Sequence, residues 1–307
     1  MIGSMREQRC IAPYYGGKAR LAQEIVKLIP RHLIYVEPFC GMASVLVNKP
    51  CPTLEGHNWY QEIVNDVDDN IVNFFNVLKD RELAEELIYR LRFTLHARSE
   101  YKAAEYILNN ADRHSPVERA WALFTCLCLG HGAKMRHGYA GLVKYPGGHG
   151  RTPLKFLTKV EALPFFVQRL KHVRVENMDA LELIRRIDSE GTFFFCDPPY
   201  IGTVCNGYRH HYSEQDFAEL VETLEAAKGS FILTILENEL TRKYFRKHWE
   251  RFEVVDANTM ECSSPEKRRT HLIFRHVKPV RDRRTMKMLE HGALSVFAAW
   301  RQQAHLL

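Results

Sequence analysis

The stretch FFFCDPPY, residues 193–200, joins two patterns that rarely occur together. Three phenylalanines and a cysteine form a continuous apolar run, which is typical of a strand buried on both faces. An acid, two prolines and a tyrosine follow at once, and the prolines fix φ and remove two backbone donors. The stretch therefore predicts a buried strand that ends in a rigid turn carrying a carboxylate and an aromatic ring.

The rest of the chain alternates strand and helix around this stretch. Apolar residues at helical spacing predict helices over 18–30, 69–80 and 213–229, and later strands are expected at 230–236 and 270–276. This alternation predicts an α/β fold, with a mostly parallel sheet, helices on both sides and a ligand site at the carboxyl ends of the strands. Four predicted strands, 32–39, 59–66, 172–179 and 191–199, carry the acids Glu37, Asp66, Asp179 and Asp197 at or near their ends.

Residues 81–170 break the alternation, because they are largely helical in pattern. We interpret them as an inserted subdomain, and residues 1–80 and 171–277 as the main α/β domain. The basic segment 278–307 forms a C-terminal tail, for which packing on the core is favoured over contact with DNA or with another subunit.

Composition limits the class of protein. Among 307 residues, Lys and Arg number 43 and Asp and Glu number 37, a net charge of +6 that is compatible with nucleic acid but does not demand it. The eight cysteines contain no C-x2-C pair, which indicates buried thiols of a reducing compartment rather than a zinc site or a disulfide frame. With no signal-like or membrane-spanning stretch, a cytosolic protein without membrane contact is expected.

The segment YYGGKARL (14–21) places two glycines and a lysine before a predicted helix. Glycines let backbone amides approach a ligand closely, and a helix N-terminus attracts negative charge. The G-x4-GK spacing of a P-loop is absent.

The segment VEPFCGMASVLV (36–47) reads as strand, acid, turn and helix with Gly41 as its single glycine. A dinucleotide site normally has three glycines to seat a pyrophosphate. One glycine behind an acid instead suits a ligand that lacks phosphates but carries an amino group, such as S-adenosylmethionine. Asp66, at the end of the next strand, is then placed to accept hydrogen bonds from ribose hydroxyls.

The Asp-Pro-Pro-Tyr turn is the most specific signal. The Asp197 carboxylate and the Pro198 carbonyl can both accept hydrogen bonds from one exocyclic amino group, and Tyr200 offers a face for a planar ring. The turn therefore predicts a site for a planar, aminated substrate.

These motifs, in this order, resemble the D12 class of DNA adenine-N6 methyltransferases, the Dam-like α group, over residues 12–277. The resemblance implies a Rossmann-like S-adenosylmethionine-dependent methyltransferase sheet with a helical target-recognition insertion at 81–170. It also implies methyl transfer to N6 of a flipped adenine. Many relatives have a second glycine where this chain has Ala43, a small residue that we expect to allow the same backbone approach.

We expect three sets of site residues, the first two on the resemblance and the third on the basic and polar composition of two segments. The catalytic set is Asp197, Pro198, Pro199 and Tyr200. The cofactor set is Tyr14, Tyr15, Gly16, Gly17, Lys18, Glu37, Pro38, Phe39, Gly41, Ser44, Asp66, Val67 and Asp179. The DNA-binding set, taken from basic or polar loops, is Lys134, Arg136, Lys144, Arg151, Asn206, Tyr208 and Arg209.

Double-stranded DNA is the expected partner. A cognate restriction enzyme and assembly as a monomer or a homodimer stay open, and neither a metal nor a catalytic cysteine is needed for the chemistry.

Other classes of protein fit less well. A glutamine-N5 methyltransferase also uses a Pro-Pro-Tyr turn, but usually with Asn first, and a cytosine-N4 enzyme typically has Ser in place of Asp197. A DNA-binding module with an inactive fold would not need Asp197 and Glu37. A nicotinamide oxidoreductase would need more glycines in the first turn.

Overall fold

The computed structural model describes residues 10–50, 60–131, 138–140, 153–201, 212–256 and 269–290. Its strands are Ile34–Glu37 (β1), Gln61–Asn65 (β2), Val173–Glu176 (β3), Thr192–Cys196 (β4), Ser230–Leu236 (β5), Glu250–Asp256 (β6) and Arg269–His276 (β7). Its helices are Ala22–Leu28 (α1), Ser44–Asn48 (α2), Asp69–Lys79 (α3), Arg81–Arg92 (α4), Arg98–Asn109 (α5), Pro116–Leu129 (α6), Pro153–Leu170 (α7), Ala180–Ile187 (α8), Glu214–Ala226 (α9) and Glu239–Arg242 (α10).

The seven strands form one sheet in the order β3-β2-β1-β4-β5-β7-β6. Strands β1 to β5 run parallel, whereas β7 is antiparallel to both β5 and β6. The predicted mostly parallel α/β sheet is thus confirmed. The chain moves outward from β1 in one direction and from β4 in the other, so the strand order reverses between them. A crevice at such a reversal is where open α/β sheets bind ligands.

The apolar run of β4 is buried on both sides of the sheet. Phe193 and Phe195 join the core under α1 to α7, while Phe194 and Cys196 join the core under α8 and α9. Successive side chains of a strand point to opposite faces, which is why a run without polar residues is needed here. The predicted capping box of α9 is also present, because Ser213 and Asp216 bond reciprocally.

Sequence analysis does not predict β6. The segment ERFEVVD alternates charged and apolar residues, the pattern of a half-buried strand. It lies at the edge of the sheet and bonds only to β7 within the sheet.

The described part of 81–170 consists mainly of the four helices α4 to α7. Their buried residues belong to the same core as α3 and one face of the sheet. Phe124 of α6 stacks on Phe74 of α3, with ring centroids 6.1 Å apart. The helices therefore rest directly on the main domain, and their role in recognising a DNA target stays a prediction.

A buried ionic cluster ties α7 to the sheet. The Arg169 guanidinium donates to both carboxylate oxygens of Glu62 on β2, at 2.6 and 2.9 Å. Lys49 donates to the same carboxylate at 3.0 Å. Burial alone would raise the pKa of Glu62, but the two cations outweigh it and lower that pKa to about 2. The carboxylate therefore stays ionised inside the core.

The described part of the tail packs against the main domain. The backbone N–H groups of Arg281 and Asp282 donate to the Glu190 carboxylate at 2.6 and 2.7 Å. Residues 283–290 are helical, and Leu289 is buried. Within the described ranges, no helix combines the length and the apolar character needed to cross a membrane.

Candidate active site

A cavity of about 550 Å³ opens at the carboxyl edge of the sheet, beside the reversal between β1 and β4. All thirteen residues of the predicted cofactor set line it, and so do Asp197 and Pro199. The acids at the ends of four parallel strands meet here as expected, because parallel strands end at the same edge. Pro198 and Tyr200, although well described, are not among the lining residues.

The glycine-lysine segment forms a turn just ahead of a helix, as predicted. Helix α1 begins at Ala22, so the predicted helical stretch 18–30 extends four residues too far at its start. The backbone reverses at Gly16, which has φ +73°, and Gly17 N–H bonds back to the Tyr14 carbonyl at 3.1 Å. This turn lets the Lys18 side chain point back, where its ammonium donates to the Gly16 carbonyl at 2.7 Å.

The turn after β1 depends on two residues with positive φ. Gly41 has φ +47°, and a Cβ there would lie 2.7 Å from Tyr14 Cε1, so the ring can approach only because Gly41 has no side chain. Ala43 has φ +47° and ψ +43°, a left-handed conformation that is costly for an L-residue. The expectation that alanine would simply replace glycine here is therefore incomplete. Ala43 allows the backbone path, but in a strained conformation.

Glu37 is a buried carboxyl group at the wall of the cavity. Its Oε1 accepts hydrogen bonds from the Tyr35 hydroxyl at 2.8 Å and from Leu46 N–H at 2.7 Å. Burial raises its pKa to about 8, these two bonds oppose the rise, and the nearby charge of Asp197 adds to it. Glu37 is therefore largely protonated at neutral pH when no cation lies beside it.

Asp66, which follows the neighbouring strand β2, stabilises the turn after β1 through a hydrogen bond. Its oxygens accept from Gly41 N–H and Asp68 N–H, each at 3.0 Å, and burial raises its pKa to about 6. A carboxylate oxygen has two lone pairs, so each oxygen keeps capacity for a hydroxyl donor. Sequence analysis did not identify Asn65. Its side-chain amide hydrogen-bonds to the backbone of Pro38 and of Met178, and so connects the ends of β1, β2 and β3.

The remaining wall is partly apolar. Phe39 meets Tyr212 edge to face, with ring centroids 6.0 Å apart. Val67 is 52% exposed and lines the cavity, so it adds apolar surface there. Asp179 accepts hydrogen bonds from two backbone N–H groups at the start of α8, so it caps that helix as well as lining the cavity.

Asp197 is the centre of a polar cluster. The Lys18 ammonium contacts its two oxygens at 2.6 and 2.7 Å, and the Thr234 hydroxyl donates to Oδ1 at 2.6 Å. The Tyr200 hydroxyl lies 3.4 Å from Oδ1 and 3.3 Å from His271 Nδ1. The ammonium also stands 4.9 Å from the centroid of the Tyr200 ring.

Several of these residues could not be found from local motifs. Thr234 is the one polar side chain inside the apolar run FILTIL, and that exception was the available signal. Residues that line the cavity but that sequence analysis did not assign to the site are Cys40, Met42, Val45, Asn65, Asp68, Met178, Ala180, Leu181, Arg185, Phe195, Tyr212, Asp216 and Glu219. In the part of the chain that the structure describes, no group of three metal-ligating side chains is placed to hold a metal ion.

All seven residues of the predicted DNA-binding set lie outside the described residues. Lys134, Arg136, Lys144 and Arg151 fall between Gly130 and α7. Asn206, Tyr208 and Arg209 fall between Ile201 and Tyr212. Their roles stay predictions.

A mostly parallel sheet that reverses its strand order at an acid-lined cavity, with a single glycine in the first turn, is the arrangement of a Rossmann-like methyltransferase. Comparison with known protein families narrows this class. The family model of the D12 class N6 adenine-specific DNA methyltransferases matches residues 14–261. The chain belongs to this family.

Relatives with assigned names agree with the family. The DNA adenine methylase of Escherichia coli (strain K12) is 25% identical over 264 residues, covering 79% of this chain and 86% of that protein. The DNA adenine methylase of Vibrio cholerae (strain N16961) is 25% identical over 276 residues, covering 83% and 90%. That of Salmonella typhi is 23% identical over 260 residues, covering 79% and 86%.

Proposed function

We propose that this adenine-specific DNA methyltransferase uses S-adenosylmethionine to methylate N6 of an adenine turned out of duplex DNA. Family membership supports the adenine and the DNA. The assignment of the cofactor and of the residue roles rests on the position of the Asp-Pro-Pro-Tyr turn. It follows β4 at the reversal of the sheet and contributes Asp197 to the same cavity as Glu37 and Asp66.

The cavity fits S-adenosylmethionine in size and in its donor and acceptor groups. Its volume of about 550 Å³ lies within the range usual for small-molecule sites. Glu37 and Asp66 offer acceptors for amino and hydroxyl groups, and Phe39 and Val67 offer apolar surface for a planar ring. When bound, the cofactor supplies an electrophilic methyl group on a positively charged sulfur.

On the substrate side, the chain has to hold an amino group that is a poor nucleophile, because its lone pair is delocalised into the adenine ring. Asp197 and the Pro198 carbonyl would accept hydrogen bonds from its two N–H groups, which returns electron density to the nitrogen. As the nitrogen gains the methyl group it releases one of its two protons to solvent, and Tyr200 would support the plane of the base. Holding the reactants in attack geometry can lower the barrier by roughly 7–11 kcal/mol. Extruding the base costs a few kcal/mol, which the basic DNA contacts would offset.

DNA contacts are assigned from sequence alone. We call Lys134, Arg136 and Lys144 the basic triple, and these three residues would contact DNA phosphates. Arg151 would join them, and Asn206, Tyr208 and Arg209 would lie near the flipped base. We also propose a cytosolic location. The protein would act as a monomer or a homodimer, with or without a restriction partner.

The test is the variant Asp197→Ala. We expect it to lose transfer of labelled methyl to adenine in duplex DNA, while its affinity for S-adenosylmethionine in calorimetry stays within a few-fold of the parent. Asp112→Ala, which removes an exposed carboxylate from a turn between α5 and α6, is the matched control. Normal N6-methyladenine formation by Asp197→Ala, or equal losses of rate and cofactor affinity, would refute the assignment.

A further inference from the structure

The ammonium of Lys18 is bound to the substrate-side carboxylate rather than left open to the cofactor cavity. Lys18 is only 4% exposed, and its Nζ reaches both oxygens of Asp197, at 2.6 and 2.7 Å. A third contact, to the Gly16 carbonyl at 2.7 Å, fixes the ammonium from its own turn. The turn at Gly16 thus directs one cation to a carboxylate that lies 179 residues later in the chain.

The opposite side of Asp197 is held by the sheet. Thr234 on β5 is fully buried and donates to Oδ1 at 2.6 Å. Lys18 and Thr234 approach from different elements, so together they restrict rotation of the carboxylate. Such second contacts are what keep a reactive group within the small tolerance that proximity effects require.

The charge of Asp197 also needs compensation. The titratable groups that the described residues bring near it are Lys18, Glu37 at the end of β1, Cys196 on β4, Tyr200 and, behind Tyr200, His271 on β7. Lys18 is the cation in direct contact among these groups, and it compensates the charge of Asp197 locally.

Orientation matters because of what the carboxylate must do. Its oxygens accept a hydrogen bond from an amino group only along the directions of their lone pairs. Fixing the rotation of Asp197 therefore fixes where the substrate amino group can be held.

We propose that Lys18 is a positioning residue of the substrate side of the site, holding the Asp197 carboxylate in one orientation together with Thr234. This inference rests on the proposed role of Asp197 as acceptor of the adenine amino group. It differs from the expectation that the glycine-lysine turn serves the cofactor, because the charged end of Lys18 acts through Asp197.

The experiment compares Lys18→Met with Lys27→Met. Lys27 lies on α1 and pairs with Glu24 at the surface, so the same substitution there removes an exposed ion pair. Single-turnover methylation of one adenine-containing duplex is measured at one pH, and the affinity for S-adenosylmethionine is measured by calorimetry. We expect Lys18→Met to lose about 100-fold in rate, with cofactor affinity within about threefold of the parent.

Rescue by a conservative variant separates positioning from folding. Lys18→Arg keeps a cation beside Asp197, so it should recover part of the rate that Lys18→Met loses. Lys27→Met should match the parent both in rate and in cofactor affinity.

A second variant tests the same idea without changing the turn. Thr234→Val has nearly the same shape and removes the hydroxyl that donates to Asp197 Oδ1 at 2.6 Å and lies 3.4 Å from the Cys196 carbonyl. We expect it to lower the rate with cofactor affinity unchanged, even if Lys18→Met fails to fold.

Two results would overturn the inference. Cofactor affinity that falls as far as the rate would make Lys18 a cofactor residue, and an unchanged rate in both variants would make the ion pair structural only. Failure of the unaltered protein to methylate adenine in DNA would instead refute the proposed function, so the two failures are distinguishable.

Discussion

The ligand-free protein should become less stable as pH rises from about 7 to about 8.5, because Glu37 has to lose a proton inside the folded protein. Its pKa in the folded protein is about 8, against an ordinary value of 4.5. Between these values the folded state binds one proton more than the unfolded state. The contribution is complete below pH 4.5 and is lost as pH rises through 8.

The magnitude follows from the linkage relation. Where Glu37 is protonated only in the folded state, the free energy of unfolding falls by ~1.4 kcal/mol per pH unit. As Glu37 itself ionises near its folded pKa the slope flattens, so the total loss from about pH 7 to about 8.5 is ~1.3 kcal/mol.

Other groups set the choice of pH range. Asp66, with a pKa of about 6, has the same sign, but most of its effect is complete below pH 7. His32 is buried with its pKa lowered to about 3, so its effect has the opposite sign and lies mainly below the ordinary histidine value of 6.5. Buried thiols such as Cys40 and Cys196, whose pKa values burial raises, act in the same direction as Glu37 near the alkaline end.

The assay is urea unfolding at several pH values, for the parent and for Glu37→Gln. Glutamine keeps the shape and can accept the hydrogen bonds of Tyr35 and Leu46, but it does not titrate. Burial, the largest cause of the raised pKa of Cys40, is the same in both proteins, and the Glu37 charge is a smaller cause. Most of the difference between the two slopes therefore belongs to Glu37. Equal slopes for parent and variant would refute the reasoning.

Three further predictions address the turn, the core and the DNA surface. Gly41→Ala should lower stability by ~1–2 kcal/mol and cofactor affinity roughly tenfold, since φ is positive and the new Cβ would meet the Tyr14 ring; an unchanged thermal midpoint and affinity would contradict this. Glu62→Gln leaves Lys49 and Arg169 without their shared carboxylate, so urea unfolding should show a loss of ~3–5 kcal/mol, and a much smaller loss would show that the cluster does not anchor α7. Replacing all three residues of the basic triple with alanine should make the slope of log K for DNA binding against log salt concentration shallower by ~2.7, with cofactor affinity unchanged. An unaltered slope would place the phosphate contacts elsewhere.

Much of the fold can be predicted from the sequence, because its signals are local. The apolar run at β4 needs a site buried on both faces, and helical spacing together with the Ser213–Asp216 cap defines α9. Segment boundaries and edge strands are harder to predict from local patterns. Helix α1 starts at Ala22 because Gly16 and the residues after it form turns. Strand β6 is missed because its charged residues, which suit an edge position, interrupt the apolar pattern.

The sequence by itself determined that four acids would gather at one edge, because parallel strands all end on the same side of a sheet. Only the tertiary structure decided which charges meet there. Lys18 reaches Asp197 because β1 and β4 are neighbours and the Gly16 turn points the side chain inward, and Thr234 reaches it because β5 lies beside β4. Contacts between segments far apart in the chain depend on the order of strands and on the path of turns, and neither is encoded in the spacing of residues within one motif.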